Sequence, residues 1–321
     1  MSEGAHPVAE RGEIPPLALE APAFFDSSAG DWITLLKPRV MSLVVFTGLV
    51  GLLIAPGRVH PVIAFAGVLA IAVGAGAAGA INMWYDRDID ALMRRTASRP
   101  IPAGRIAPQA ALGYGITLAA ASVVLMGLAT NALAAGLLAA SIGFYVFIYT
   151  MWLKRRTPQN IVIGGAAGAF PPLIGWAAAS GSVDVMPLLL FAIVFFWTPP
   201  HFWSLALFAH GDYARAGVPM LPVTHGARET RRQIFVYTII LVPLTLLPWL
   251  LGLAGSFYGI SAAILGMGYL LASWRVLWDV QDENGVSQTK DKPAKMAFRF
   301  SILYLFCLFG ALLVDRLGAS F

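Results

Sequence analysis

The sequence predicts an all-α polytopic membrane protein with nine transmembrane helices, and three observations carry that expectation. First, 58% of the 321 residues are apolar and only 12% are charged, about half the charged share of a soluble domain. Second, the apolar residues gather into nine charge-poor stretches, each near the roughly 18 residues that a helix needs to cross the hydrocarbon core. Third, lysine and arginine fall almost wholly on one side of those stretches. The composition excludes disorder, a disulfide scaffold and a nucleic-acid-binding module. Runs this long and unalternating do not suit barrel strands, and hydrocarbon tolerates no open sheet edge, so the stretches are read as helices.

The expected spans are residues 33–55, 62–84, 109–130, 133–153, 161–179, 185–209, 234–253, 257–274 and 297–314. Lys37, Arg39 and Arg299 lie near the ends of the first and last spans, where long side chains snorkel to water. Nine spans place the N-terminus and the loops after spans two, four, six and eight on one side. That side holds twenty of the 22 lysines and arginines, and the other only Arg58 and Arg316. The positive-inside rule then makes the N-terminus cytoplasmic and the C-terminus periplasmic, in a cell inner membrane. Residues 1–31, with Glu3, Glu10, Glu13 and Glu20 among prolines and alanines, read as a disordered cytoplasmic tail. They show no basic segment followed by an apolar one, as a secretory signal would. Residues 32–321 form the membrane domain. Cys307, the single cysteine, is expected to be a small buried hydrophobe.

Carboxylates and bases are costly at membrane depth, so each one there is a functional candidate. Span two ends in Asn82-Met-Trp-Tyr-Asp86-Arg-Asp88-Ile-Asp90. Residues four apart drift by about 40° per step and share one helix face, about 6 Å apart along the axis. That gap suits a cation held between oxygen ligands, and an oxygen-only set suits hard Mg²⁺, which keeps waters and shares its shell with phosphate. The competing reading is a solvated acidic face paired with Arg87, Arg94 and Arg95. Arg95 and Arg99 in the next loop have the right chemistry to hold phosphate oxygens, and Lys154 at the end of span four offers a second clamp. Tyr149 either points into the bundle or belongs to an interfacial aromatic belt.

Span five begins Thr157-Pro-Gln-Asn160 and continues through Gly164, Gly165, Gly168, Pro171 and Pro172. Its small residues allow close helix approach, and its proline pair removes backbone donors and is expected to kink the span. Span six carries Pro199-Pro200-His201-Phe202-Trp203, then His210, Asp212 and Tyr213 beyond its end. An intramembrane histidine is either a satisfied structural group or a functional one. Two acidic helix ends four spans apart suggest a weak internal duplication with the site between its halves.

Asn82-x-x-x-Asp86-x-x-x-Asp90, followed by Arg95 and Arg99-Pro-x-Pro-x-Gly, resembles the first aspartate motif of the intramembrane UbiA-type prenyltransferase superfamily. The segments Leu36-Lys-Pro-Arg39, 157–165, 171–176, 200–203 and 212–222 resemble its haem-farnesylating branch. The likeness covers residues 32–314 and implies nine helices bundled around a central cavity capped by cytoplasmic loops. It implies transfer of farnesyl from farnesyl diphosphate to a vinyl group of haem B, giving haem O. Downstream partners would be haem A synthase or terminal-oxidase assembly proteins. One departure is that the second acidic motif is reduced to Asp212 with Tyr213 beside it, since Phe208 and Ala216 stand four residues to either side.

On this resemblance Asp86, Asp90, Asp212, Tyr213 and His201 are the expected catalytic residues. Mg²⁺ would be held by Asn82, Asp86, Asp90 and Asp212. The diphosphate would meet Asn82, Arg95, Arg99, Lys154 and His210, and the haem or prenyl group Tyr149, Asn160, Phe202 and Trp203. His201 or His210 would ligate the haem iron or carry a proton. Two rivals stand beside this reading. One is a related prenyltransferase with a quinone-precursor or chlorophyllide acceptor. The other is a non-enzymatic haem or lipid transporter.

Overall fold

Proline sets where many of the helices start, because its fixed φ and missing N–H suit the first turn. In the computed structural model, which describes residues 27–57, 59–283 and 285–318, Pro38, Pro61 and Pro108 all occupy that position. The helices are α1 (Ala29–Leu35), α2 (Pro38–Ile54), α3 (Pro61–Tyr85), α4 (Arg87–Leu92), α5 (Pro108–Ala129) and α6 (Ala132–Gly143). After α6 the chain runs on as a π-helical segment, Phe144–Leu153. Then come α7 (Asn160–Ser180), α8 (Val185–Phe208), α9 (His210–Arg215), α10 (Leu221–Thr224), α11 (Gly226–Leu250), α12 (Ser256–Leu277) and α13 (Lys292–Gly318). Among the described residues the extended structure is one antiparallel bridge, Gln281 to Ser287.

Eight of these segments are long and apolar enough to span a membrane, and α1 with α2 makes a ninth, bent by 53°. The bend falls at Lys37, whose φ of 51° is left-handed and ends one helix just before Pro38 starts the next. The expected first span is therefore two pieces. The proline pairs 171–172 and 199–200 stay inside α7 and α8 as continuous helices. Residues 1–26 of the expected tail lie outside the described residues. Its last residues are folded: Ser28 and Asp31 form a capping box at the start of α1, and Asp31 accepts from Arg105 Nε at 2.7 Å.

Helix packing closes a ring, with α2 against α3, α3 against α5, α8 against α11 and α12 against α13, until α13 returns to α2. The innermost span is α7, with 72% of its apolar window buried against 22% for α5. Its small residues explain that position. A side chain at Gly175 would run into the Gly48 carbonyl, and one at Gly51 into the Pro172 backbone, so α2 and α7 meet almost backbone to backbone. Ringed by these helices is a cavity of about 450 Å³, apolar along α2, α3 and α7 and charged at the end that carries α4.

Candidate active site

The charged end is built from the last turn of α3. The helical hydrogen bonds run on through its break, from Asp86 N to Asn82 O (2.9 Å) and from Asp90 N to Asp86 O (2.8 Å). Asn82, Asp86 and Asp90 thus keep one face across the α3–α4 junction. All three are buried, with Asp86 at 0% and Asp90 at 1% exposure. That excludes a solvated acidic face for these two, because a buried charge persists only when paired. The solvated reading holds for Asp88 instead, which is 61% exposed in its side chain. The Arg155 guanidinium, bonded to it at 2.6 and 2.7 Å, holds its carboxyl below the usual carboxylate range.

Each buried acid has its own cation. Lys154 Nζ pairs with Asp86, Arg155 lies 3.4 Å from the same carboxylate, and Arg99 Nη1 donates to Asp90 Oδ2 at 2.5 Å. Asn82 Nδ2 donates to Asp86 (2.7 Å) and to Thr150 Oγ1 (3.1 Å). Its Oδ1 accepts from Lys37 Nζ at 2.6 Å. Asp90 Oδ1 is buried without a hydrogen-bond partner. An orphaned carboxylate oxygen beside an amide oxygen and a second carboxylate is a donor set that fits a hard divalent cation. Among the described residues no three His, Cys, Asp or Glu side chains converge as a ready-made metal cluster, so the fit rests on Asn82, Asp86 and Asp90 alone.

Lys154 reaches Asp86 because of the π-helical segment. Lys154 N donates to Tyr149 O at 2.9 Å, an i to i+5 bond, and such widened turns recur at functional sites. Both side chains line the cavity, which settles Tyr149 as an inward residue. Tyr145 lies beside it, ring centroids 5.3 Å apart. From across the mouth, Arg95 Nη2 donates to Tyr213 OH at 3.0 Å and its guanidinium sits 5.5 Å over that ring.

His201 and Phe202 line the same cavity deeper in, as does Asn160. Asn160 is fully buried; its Nδ2 donates to Thr157 O at 2.6 Å and its Oδ1 has no partner. The His201 ring is stacked between Trp197 and Phe298, at 4.2 and 4.7 Å between centroids. Its Nδ1 lies 2.7 Å from Ser301 Oγ.

Three expectations need correction. Asp212 lies on α9 outside the cavity lining, paired with Arg215 one turn on and 3.9 Å from Arg94. His210 is exposed and also outside the lining, at the start of α9 just after the break at Ala209, whereas Tyr213 on the same short helix does line the cavity. Trp203 is buried on the far face of α8, edge-on to Tyr237 at 5.2 Å, and does not reach the cavity. Asp86 sits just behind the lining, covered by its partners. Lys37, Tyr145 and Ser301 were missed as site residues. Only Lys37 carried a signal, as a charge inside an apolar span.

Residues 44–302 match the UbiA prenyltransferase family. The chain belongs to that family. It is 67% identical over 304 residues to the protoheme IX farnesyltransferase of Acidiphilium cryptum, covering 95% of this chain and 96% of the relative. The protoheme IX farnesyltransferase of Granulibacter bethesdensis is 65% identical, with 94% of each chain covered. Among solved structures, a digeranylgeranylglyceryl phosphate synthase shares the fold with a TM-score of 0.72 at 20% identity, over 90% of this chain and 98% of the other. A UbiA homolog from Archaeoglobus fulgidus, bound to DMAPP and Mg²⁺, superposes with a TM-score of 0.64 at 19% identity, over 87% and 99%. The family's fold is the all-helical, multi-span architecture described above.

Proposed function

We propose that this protein transfers the farnesyl group of farnesyl diphosphate to a vinyl group of haem B, yielding haem O and diphosphate. The observation that carries the reading is the row of buried, cation-paired oxygen ligands at the mouth of a long apolar cavity, in a chain 67% identical to a protoheme IX farnesyltransferase. The site divides the substrate. Its charged end takes the diphosphate, and its apolar length takes the prenyl chain and the macrocycle, away from water.

Asn82, Asp86 and Asp90 would hold Mg²⁺, which when bound offsets charge on the departing diphosphate. Arg95, Arg99 and Lys154 line the same mouth and take further phosphate oxygens in charge-assisted hydrogen bonds. Their positive charge stabilises the electron pair that leaves with the diphosphate as the allylic C–O bond breaks. Tyr149 and Phe202 line the cavity, where aromatic rings would favour the allylic cation electrostatically. The vinyl group then forms the new C–C bond, and water supplies the hydroxyl of the product with loss of one proton. Tyr213 orients Arg95 through its hydroxyl. The basic loops lie on the cytoplasmic side of the inner membrane and the C-terminus in the periplasm, so the diphosphate enters from the cytoplasm. The product passes to a haem A synthase or a terminal-oxidase assembly protein.

The test is direct. Purified protein incubated with haem B, farnesyl diphosphate and Mg²⁺ should yield a haem species heavier by one farnesyl group and one hydroxyl. Absence of that species under conditions where the diphosphate still binds would overturn the assignment of the acceptor.

A further inference from the structure

The hydrogen bonds around His201 fix its tautomer. Ser301 Oγ has two short neighbours, Phe298 O at 2.7 Å and His201 Nδ1 at 2.7 Å. A hydroxyl has one proton, and a carbonyl oxygen cannot donate. The serine proton must therefore lie on the Phe298 carbonyl, since two oxygens at that separation need a proton between them. The proton in the second contact then belongs to the imidazole, so Nδ1 is the N–H and Nε2 carries a lone pair.

Everything around the ring holds that arrangement. Trp197 and Phe298 stack on its two faces with interplanar angles of 17° and 24°, so the ring cannot turn over. Trp197 is itself fixed by Nε1 donating to Ser301 O at 2.8 Å. Ser301 thus anchors the histidine through its hydroxyl and the stacking tryptophan through its carbonyl. Among the described residues Nε2 makes no hydrogen bond, and His201 lines the cavity. A structural histidine satisfies both nitrogens. One whose N–H is held by an outer group while its other nitrogen faces an apolar cavity has the arrangement of a metal-ligating imidazole, in which the second partner sets tautomer and orientation.

We propose that His201 Nε2 is the axial ligand of the haem iron of the acceptor substrate, with Ser301 as its positioning residue. This rests on the reading of the acceptor as haem. Ligation through one rigid imidazole fixes the macrocycle's height and tilt in the cavity, and with them the vinyl group that must meet the allylic carbon. Ser301 acts only through the imidazole.

The experiment is a spectral titration of the full-length protein in detergent, with haem B and, separately, with metal-free protoporphyrin IX. The wild type should bind haem with a shifted Soret band and prefer it over the metal-free ring by about tenfold or more. His201→Ala should lose the shift and the preference while retaining protoporphyrin affinity, and added imidazole should restore the shift. Ser301→Ala should weaken haem binding by about tenfold and leave protoporphyrin binding unchanged. A His201→Ala spectrum and haem affinity equal to wild type would overturn the proposal. So would a wild type that binds both rings equally well, a result that needs no variant to fold. Failure of the acceptor assignment looks different: the wild type then binds neither ring saturably.

Discussion

Gly164 of α7 lies under the ring of Tyr149 so closely that a methyl group added there would overlap the ring edge. The π-helical turn aims Tyr149 inward, and the missing side chain on α7 gives the ring its seat. Gly164→Ala must push the ring into the cavity or out of register with Lys154. Overpacking of this kind costs about 1 to 3 kcal/mol, which corresponds to about a tenfold loss or more when the strain falls on the reactive geometry. We expect kcat/KM for farnesyl diphosphate to fall by that factor. Gly136→Ala on α6 is the control, since a Cβ there meets nothing within 4 Å and Gly136 does not line the cavity. Equal activity in both variants would show that the seat of Tyr149 does not matter.

Asp86→Asn and Asp90→Asn should each lower turnover by at least about 100-fold, the usual size of a lost charge-stabilising group. Both carboxylates are buried and cation-paired. The amide keeps the shape and removes the charge. Product formation by mass spectrometry, beside a monodisperse elution profile, separates lost chemistry from lost fold. Near wild-type turnover in either variant at saturating Mg²⁺ would sink the metal-site reading.

How much of this was legible in the sequence follows from helix geometry. Asn82, Asp86 and Asp90 were readable because a four-residue repeat on a regular helix shares a face. The alignment of Tyr149 with Lys154 was not, because five residues on a regular α-helix place them about 140° apart. Only the widened turn, hidden in an aromatic run, brings them together. Trp203 was open to exclusion, standing about 200° round the helix from His201. Asp212 and His210 were not, since which face of the short α9 turns to the cavity after the break at Ala209 leaves no composition signal. The nine spans were readable, but the fold of the first into two at Lys37 depends on one left-handed residue.

Chelation should abolish turnover and leave the fold intact. The acids at the mouth are already neutralised by the chain's own cations, Lys154 and Arg99, while Lys37 caps Asn82. The unfolding temperature should therefore stay the same within error on adding EDTA, while haem O production stops and returns with Mg²⁺. A large drop in unfolding temperature would mean that the metal is structural. Continued turnover in EDTA would mean that the cationic side chains suffice for ionisation.

The orientation of the bundle carries the last expectation. Cytoplasmic loops collect lysine and arginine, and the 94–105 loop holds four arginines beside the cavity's charged end. That end must face the compartment that supplies a water-soluble diphosphate. A reporter inserted in this loop should read as cytoplasmic. One fused after Phe321 should read as periplasmic, because seven spans, an odd number, separate it from the loop. A reporter at the N-terminus should read as cytoplasmic, because the bent α1–α2 pair counts as a single crossing. If the bend instead made α1 and α2 a re-entrant hairpin, eight crossings would remain and the reporters at the two termini would read on the same side.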